Sequence, residues 1–273
     1  VIGLTLIAVP VLAILYIWIG QSIALILVGE KLAWPLRFET RDPRVKLTSR
    51  VMIHSTWILI IVLVPLVLGI SPSEWFHQQF PTPVPWRDIL VAIAIMVVPI
   101  WILYAIWFAA GWIRWEPKHD TKTRRAKLFR RFIGPWPLAT LEEAVFRGVL
   151  LDQLLRAFPQ TDAYAGLAIV VTAAIFSSIH FVKRPQPGRP IWQPAYGLFI
   201  VGCLFGLAYV LGGRSLWLPI AVHGGAVFGI EVMRLYMVHQ GPPWLVGYAE
   251  FPQSGLMGSL FVLGMAIALV VLV

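Results

Sequence analysis

Four ionisable side chains stand out within otherwise apolar stretches of this sequence: Glu142, Glu143, His180 and His223. Such groups cost several kcal/mol or more inside hydrocarbon unless they pair or line a wet cavity, so they are the first candidates for chemistry. Glu143 and Arg147 stand four residues apart with the acid first, the favourable order for a helical ion pair, and read as a structural brace. Glu142 is turned about 100° from Glu143 on a helix, and the residue four positions on is Phe146. A carboxylate with no partner on its own helix suits a general base or acid.

One acid and two histidines support two chemistries. A water activated by the carboxylate, with imidazoles moving protons and stabilising an oxyanion, needs no metal. A zinc held by His, His and Glu is the alternative. The chain has no His-Glu-x-x-His helix, and a zinc site would leave no obvious separate base, so the reading without a metal is preferred. The structural alternative is that Glu142 bonds a neighbouring helix and each imidazole satisfies a backbone carbonyl.

These residues need scaffolding inside a bilayer. The chain has 273 residues, of which 59% are hydrophobic and only 13% charged, with a mean hydropathy of +0.79. A water-soluble domain carries about a quarter charged residues, which excludes that class. Uncharged stretches run from Val1 to Gly29, Val51 to Ser73, Ile89 to Ile113, Ala163 to Val182, Pro190 to Gly213 and Phe251 to Val273. Phe132 to Ala157 is apolar but carries Glu142, Glu143, Arg147, Asp152 and Arg156, and Ser215 to Ile230 carries His223. The expected fold is an all-α polytopic transmembrane helix bundle of about eight spans.

The net charge of +9 is concentrated in alternate loops. Loop 30–50 holds Lys31, Arg37, Arg41, Arg44, Lys46 and Arg50. Loop 114–131 holds Arg114, Lys118, Lys122, Arg124, Arg125, Lys127, Arg130 and Arg131, and loop 183–189 holds Lys183, Arg184 and Arg189. The positive-inside rule makes these loops cytoplasmic and both termini external. Loop 114–131 is also expected to lie on anionic headgroups, so the basic balance points to membrane topology and not to nucleic acid. In this topology Glu142 lies about 13 Å and His223 about 10 Å from the cytoplasmic edge. His180 closes its span on the same side, so three helices converge on one depth.

Cys203 lies in an apolar span and reads as a packing residue, with Gly202 and Gly206 beside it as a close helix contact. Pro10, Pro65, Pro99 and Pro219 are expected to kink spans. Pro81-Thr82-Pro83, Pro185-Gln186-Pro187 and Gly241-Pro242-Pro243 mark turns. His54, His77, His119 and His239 read as solvated. Trp34, Trp75, Trp86, Trp112, Trp115, Trp192, Trp217 and Trp244 read as interface anchors.

The order of these residues resembles the CPBP family of intramembrane proteases, which includes the CAAX prenyl endopeptidases and bacterial relatives described as abortive-infection or bacteriocin-immunity proteins. The resemblance covers roughly 132–234. The EExxxR motif stands at Glu142-Glu143-Ala144-Val145-Phe146-Arg147, FxxxH at Phe176-Ser177-Ser178-Ile179-His180, and the approach to the last motif at Gly206 to Tyr209 and Ser215 to His223. The resemblance implies an eight-helix core in which Glu142 and His180 activate water, Glu143 and Arg147 brace the helix, Phe176 supports the site and His223 stabilises the oxyanion. Val227 stands where the family usually has Asn or another polar residue, which removes one oxyanion donor. Glu231 is a candidate to orient His223, and Ser177 and Ser178 are candidate replacement donors.

Three segments are expected: 1–131 with the first helices and basic loops, 132–236 as the catalytic-type core, and 237–273 with the last loop and span. The expected function is a glutamate-dependent intramembrane endopeptidase cutting near the cytoplasmic face of the cell's inner or plasma membrane, with no cofactor. Its partners would be a membrane-anchored or membrane-proximal polypeptide substrate, the lipid bilayer and a possible complex partner, and no nucleic acid. The alternative is a catalytically weak or inactive scaffold on the same fold.

Overall fold

The computed structural model describes residues 2–31, 42–157, 161–180 and 190–273. Arg37, Arg41, Trp34, Lys183, Arg184, Arg189 and the Pro185–Pro187 turn lie outside the described residues. The chain begins with α1 (Ile2–Leu27), α2 (Pro43–Val67), the short α3 (Pro72–Gln79) and α4 (Trp86–Ala109). Next come β1 (Ile113–Trp115), α5 (Thr121–Ile133) and α6 (Pro135–Glu143), which runs through a π-helical turn (Ala144–Leu151) into α7 (Asp152–Ala157). Then follow α8 (Asp162–His180), α9 (Trp192–Leu211), α10 (Trp217–Met233), β2 (Met237–His239), α11 (Pro243–Val246) and α12 (Leu256–Leu272).

All eight apolar stretches are therefore helices, and the chain is a multi-pass helical membrane bundle. Among the described residues, Pro43–Val67, Trp86–Ala109, Asp162–His180 and Trp192–Leu211 are long and apolar enough to cross a membrane. Val11–Leu27, Trp217–Met233 and Leu256–Leu272 are shorter apolar helices. The outer helices present bare apolar faces, such as Leu260, Leu263 and Ile267 on α12 and Leu12 and Ile19 on α1, as helices surrounded by lipid do.

The interior is built on α10, which packs along α4 and across α6, while α8 packs along α9. Small residues set the closest approaches. A Cβ at Gly202 would lie 3.1 Å from Ala173 Cβ, and one at Gly206 2.9 Å from Ile169 Cγ2, so this pair does form the expected close contact, with α8. Gly224 is tighter still: a Cβ there would lie 2.3 Å from Trp136 Cε3. Only glycine lets α10 approach α6 so closely beside His223.

Several local expectations change. The basic segment 114–131 is not a loop. Residues 113–115 pair antiparallel with 237–239, and Thr121–Ile133 is a helix capped by Asp120, whose carboxylate accepts from the Thr123 N–H at 2.9 Å. Counting charges hides such a helix, because its polar residues recur with helical period. Trp75 is 6% exposed and donates through Nε1 to the Gly148 carbonyl at 3.2 Å, so it locks α3 to the π turn and does not anchor at an interface. Trp86, Trp115, Trp192 and Trp244 are exposed. Pro219 sits in the first turn of α10, where the missing N–H has no helical partner to lose.

Candidate active site

α6 carries Glu142 and Glu143 in its last turn, and the chain changes to π-helical winding at the next residue. Such π turns often occur at functional sites. Here the π turn keeps Ala144 to Leu151 entirely buried and leaves the Gly148 carbonyl to accept the Trp75 indole. At the far end, Asp152 is clamped by Arg156 at 2.6 Å, by Arg214, and by the Tyr209 hydroxyl at 3.2 Å. The rod that holds the two glutamates is thus fixed at both ends.

The Arg147 side chain is fully buried, donating to Glu143 Oε1 at 3.1 Å and to the Gly202 carbonyl at 2.8 Å. Its guanidinium carbon lies 5.0 Å from the Phe176 ring centre and 5.3 Å from that of Phe205. The brace expected from the sequence exists, but Glu143 does more than pair with Arg147. Its Oε1 is also 2.7 Å from His223 Nδ1, which fixes the imidazole with Nε2 directed away from Glu143. Nε2 lies 3.8 Å from Glu142 Oε2. Phe205 stacks on the His223 ring, 4.5 Å between centroids and 18° between planes.

Glu143, not Glu231, therefore orients His223. Glu231 is engaged by Arg131 at 3.2 Å and by Arg234. The serines are also committed: Ser177 donates to the Ala195 carbonyl at 2.7 Å and Ser178 to the Ala174 carbonyl at 2.8 Å. Neither hydroxyl proton is free to replace a donor at Val227.

His180 approaches from α8, its Nδ1 bonded to the Phe176 carbonyl at 2.7 Å. That bond assigns the Nδ1 proton and leaves Nε2 as an acceptor in the neutral ring. Phe176 is central, with its ring 5.0 Å from Phe146, 4.6 Å from His180 and 6.3 Å from His223. Glu142 and His180 line one cavity of about 280 Å³, together with Ile17, His54, Trp57 and Phe146. A groove of about 520 Å³ continues between α1 and α2 and shares Val9, Ala13, Thr56 and Ile60 with that cavity.

Two residues beside the site stand outside the set singled out by sequence. His54, expected in solvent near a basic loop, is exposed, with Nδ1 bonded to the Arg50 carbonyl at 2.7 Å, and also borders the cavity, because α2 begins at Pro43 and carries it within the body of the helix. An Asp42-Pro43 N-cap followed by helical residues is the sequence signal for that start. Phe205 carries no signal, since nothing in an apolar helix marks which aromatic ring will stack on an imidazole. Among the described residues, no group of three His, Cys, Asp or Glu side chains is arranged to hold a metal ion. His239 also departs from the solvated reading and packs edge-on to Tyr104 and Trp107 at 5.7 and 5.5 Å.

The searches of curated proteins and of solved structures match nothing. Residues 128–229 match the family model for the type II CAAX prenyl endopeptidase Rce1-like proteins. That segment runs from α5 to α10 and contains Glu142, Glu143, Arg147, Phe176, His180 and His223, and its match supports assignment of this chain to the CPBP family of CAAX-type proteases.

Proposed function

We propose that this protein is a glutamate-dependent intramembrane endopeptidase that hydrolyses a peptide bond near the cytoplasmic face of the membrane. The observation that carries this reading is the position of Glu142. Its carboxylate borders the cavity shared with His180, and its other side is 3.8 Å from His223 Nε2.

In this mechanism a water between Glu142 and His180 loses a proton to the Glu142 carboxylate as its oxygen attacks the scissile carbonyl carbon. His180 Nε2, with Nδ1 committed to Phe176, accepts the second hydrogen bond of that water and aims it. His223, its ring held by the contact of Nδ1 with Glu143, donates from Nε2 to the developing oxyanion. The proton on Glu142 then passes to the leaving amine as the tetrahedral adduct collapses. The carboxylate starts and ends the cycle ionised, and the residues need no metal to balance it. The apolar groove between α1 and α2 suits the anchor of a membrane-bound polypeptide, leaving its polar end at Glu142.

The test is purified protein in liposomes with membrane-proximal peptide substrates. Glu142→Gln should lower turnover by about 100- to 10 000-fold, the range for losing a general base. Wild-type turnover in the variant would overturn the role of Glu142, and activity abolished by chelator and restored by zinc would replace this mechanism with a metal-dependent one. No turnover by the wild-type protein, with a stable stoichiometric partner on purification, would favour a scaffold.

A further inference from the structure

We propose that the outward face of α5 is a docking surface for anionic membrane lipid, and that seating it there fixes the junction leading to Glu142. The helix has six basic residues and no acidic one, and none of its side chains is buried. The cations divide into two sets. Arg124 lies 5.6 Å over the Tyr236 ring, Lys127 Nζ is 2.6 Å from His119 Nε2, and Arg131 bonds Glu231. Arg124 and Arg131 hold α5 to the end of α10 and the segment after it, and Lys127 folds back on the turn that precedes α5. Lys122, Arg125 and Arg130 are exposed and form no ion pair among the described residues.

The same outward side presents Phe129, Phe132 and Ile133, at 65%, 58% and 47% exposure. Taking 100° per residue, these three lie within an arc of about 100° that also holds Lys122 and Arg125, and Arg130 lies about 60° beyond it. Large apolar groups interleaved with unpaired cations are costly toward water. They suit the headgroup boundary, where rings enter the acyl region and cations meet phosphates. Nucleic acid would match the cations but leave Phe129, and the part of Phe132 that does not meet the Phe228 ring at 5.8 Å, without an apolar medium.

Position supports the same occupant. α5 follows α4 and β1, leads into α6 and packs beside α10. Gly134 alone separates it from α6, and its N–H bonds the Arg130 carbonyl. Arg131 ties it to Glu231 near the end of α10, the helix of His223. Movement of α5 is thus transmitted to both helices of the Glu142 and His223 pair.

The test is hydrogen–deuterium exchange on the full chain in nanodiscs of phosphatidylcholine, with and without phosphatidylglycerol. It reads lipid contact directly and does not depend on the proteolytic reading. Backbone protection over 121–133 should rise with anionic lipid, roughly 5-fold for each cation engaged, and the gain should disappear in 1 M salt. Lys122→Glu with Arg125→Glu and Arg130→Glu should erase the gain while leaving exchange in α8 and α9 unchanged. Equal protection of the wild-type helix in both lipids would overturn the proposal, as would a gain that survives the triple substitution. Tighter retention of a duplex oligonucleotide than of anionic lipid would assign the face to a different polyanion and also overturn it.

Discussion

Glu143 and His223, eighty residues apart, are joined by the 2.7 Å contact between Oε1 and Nδ1, and the same Glu143 oxygen also receives Arg147 at 3.1 Å. One buried carboxylate thus serves as counter-ion for a guanidinium and as the anchor of an imidazole. Residues of the first and last motifs meet between α6 and α10 through it.

Arg147→Met should therefore be among the most damaging substitutions in the chain. Removing one partner of a buried pair leaves the other charge uncompensated, at a cost of about 3–5 kcal/mol. Thermal unfolding in detergent should show the loss. Adding Glu143→Gln should recover much of the stability without restoring turnover, because the carboxylate that holds His223 is then gone. Additive losses in the double variant would contradict the pairing.

Gly224→Ala tests the approach of α10 to α6. Its new Cβ would overlap the Trp136 ring, and overpacking of this kind costs typically 1–3 kcal/mol. The more specific effect falls on turnover, since separation of the helices lengthens the 3.8 Å gap between Glu142 and His223. Trp136→Leu in the same chain should restore most of the activity. Unchanged kinetics in Gly224→Ala would show that this spacing does not limit the reaction.

Val227→Asn should raise turnover, because an amide one turn beyond His223 supplies an oxyanion donor and the hydroxyl protons of Ser177 and Ser178 are already committed. The gain can reach about 100-fold. An unpartnered amide costs roughly 1–3 kcal/mol of stability, so unfolding is measured alongside. Flat kinetics in a folded variant would mean that another group fills the position.

His239 gives the pH dependence a sign. Burial pushes its imidazole down to about 4 from 6.5, with Glu250 opposing and Lys118 and Arg234 reinforcing the shift. The unfolded chain takes up a proton between those values that the folded chain refuses. Stability from this residue is therefore intact above pH 6.5, falls as pH drops toward 4, and levels off below, by about 3 kcal/mol at most. His239→Phe should flatten that part of the unfolding profile and stabilise the fold at pH 5. Identical slopes in the two proteins would place the proton uptake elsewhere.

The spans are legible in the sequence because an uncharged apolar run of bilayer length is rare outside a membrane helix. Ala163–Val182, bounded by charges, is the helix Asp162–His180, and Pro190–Gly213 is Trp192–Leu211. Of the site, Glu142, His180 and His223 can be singled out because polar groups stand out against apolar sequence. Their partners cannot. Helical spacing assigns Glu143 to Arg147 and says nothing about a histidine on another helix. Treating charges as borders hides the start of α2 at Pro43 and the whole of α5, because helices extend past charged residues when those face water or headgroups. The place of His239 between spans suggests solvent, and its burial depends on aromatic residues of α4 that no local pattern brings near.

The π turn has a consequence for insertions and deletions. It sets the angular phase between the two ends of the α6–α7 rod, so that Glu142 meets the cavity while Asp152 meets Arg214 and Tyr209. If 144–151 kept its length but wound as an ordinary α-helix, a locally easier backbone, one end would turn relative to the other, because a π turn holds more residues than an α turn. Either the acid leaves the cavity or the clamp at Asp152 opens. A deletion in this stretch is therefore compensated only where the winding relaxes with it, and the surplus residue acts as a fixed gear tooth between a scaffold and a carboxylate.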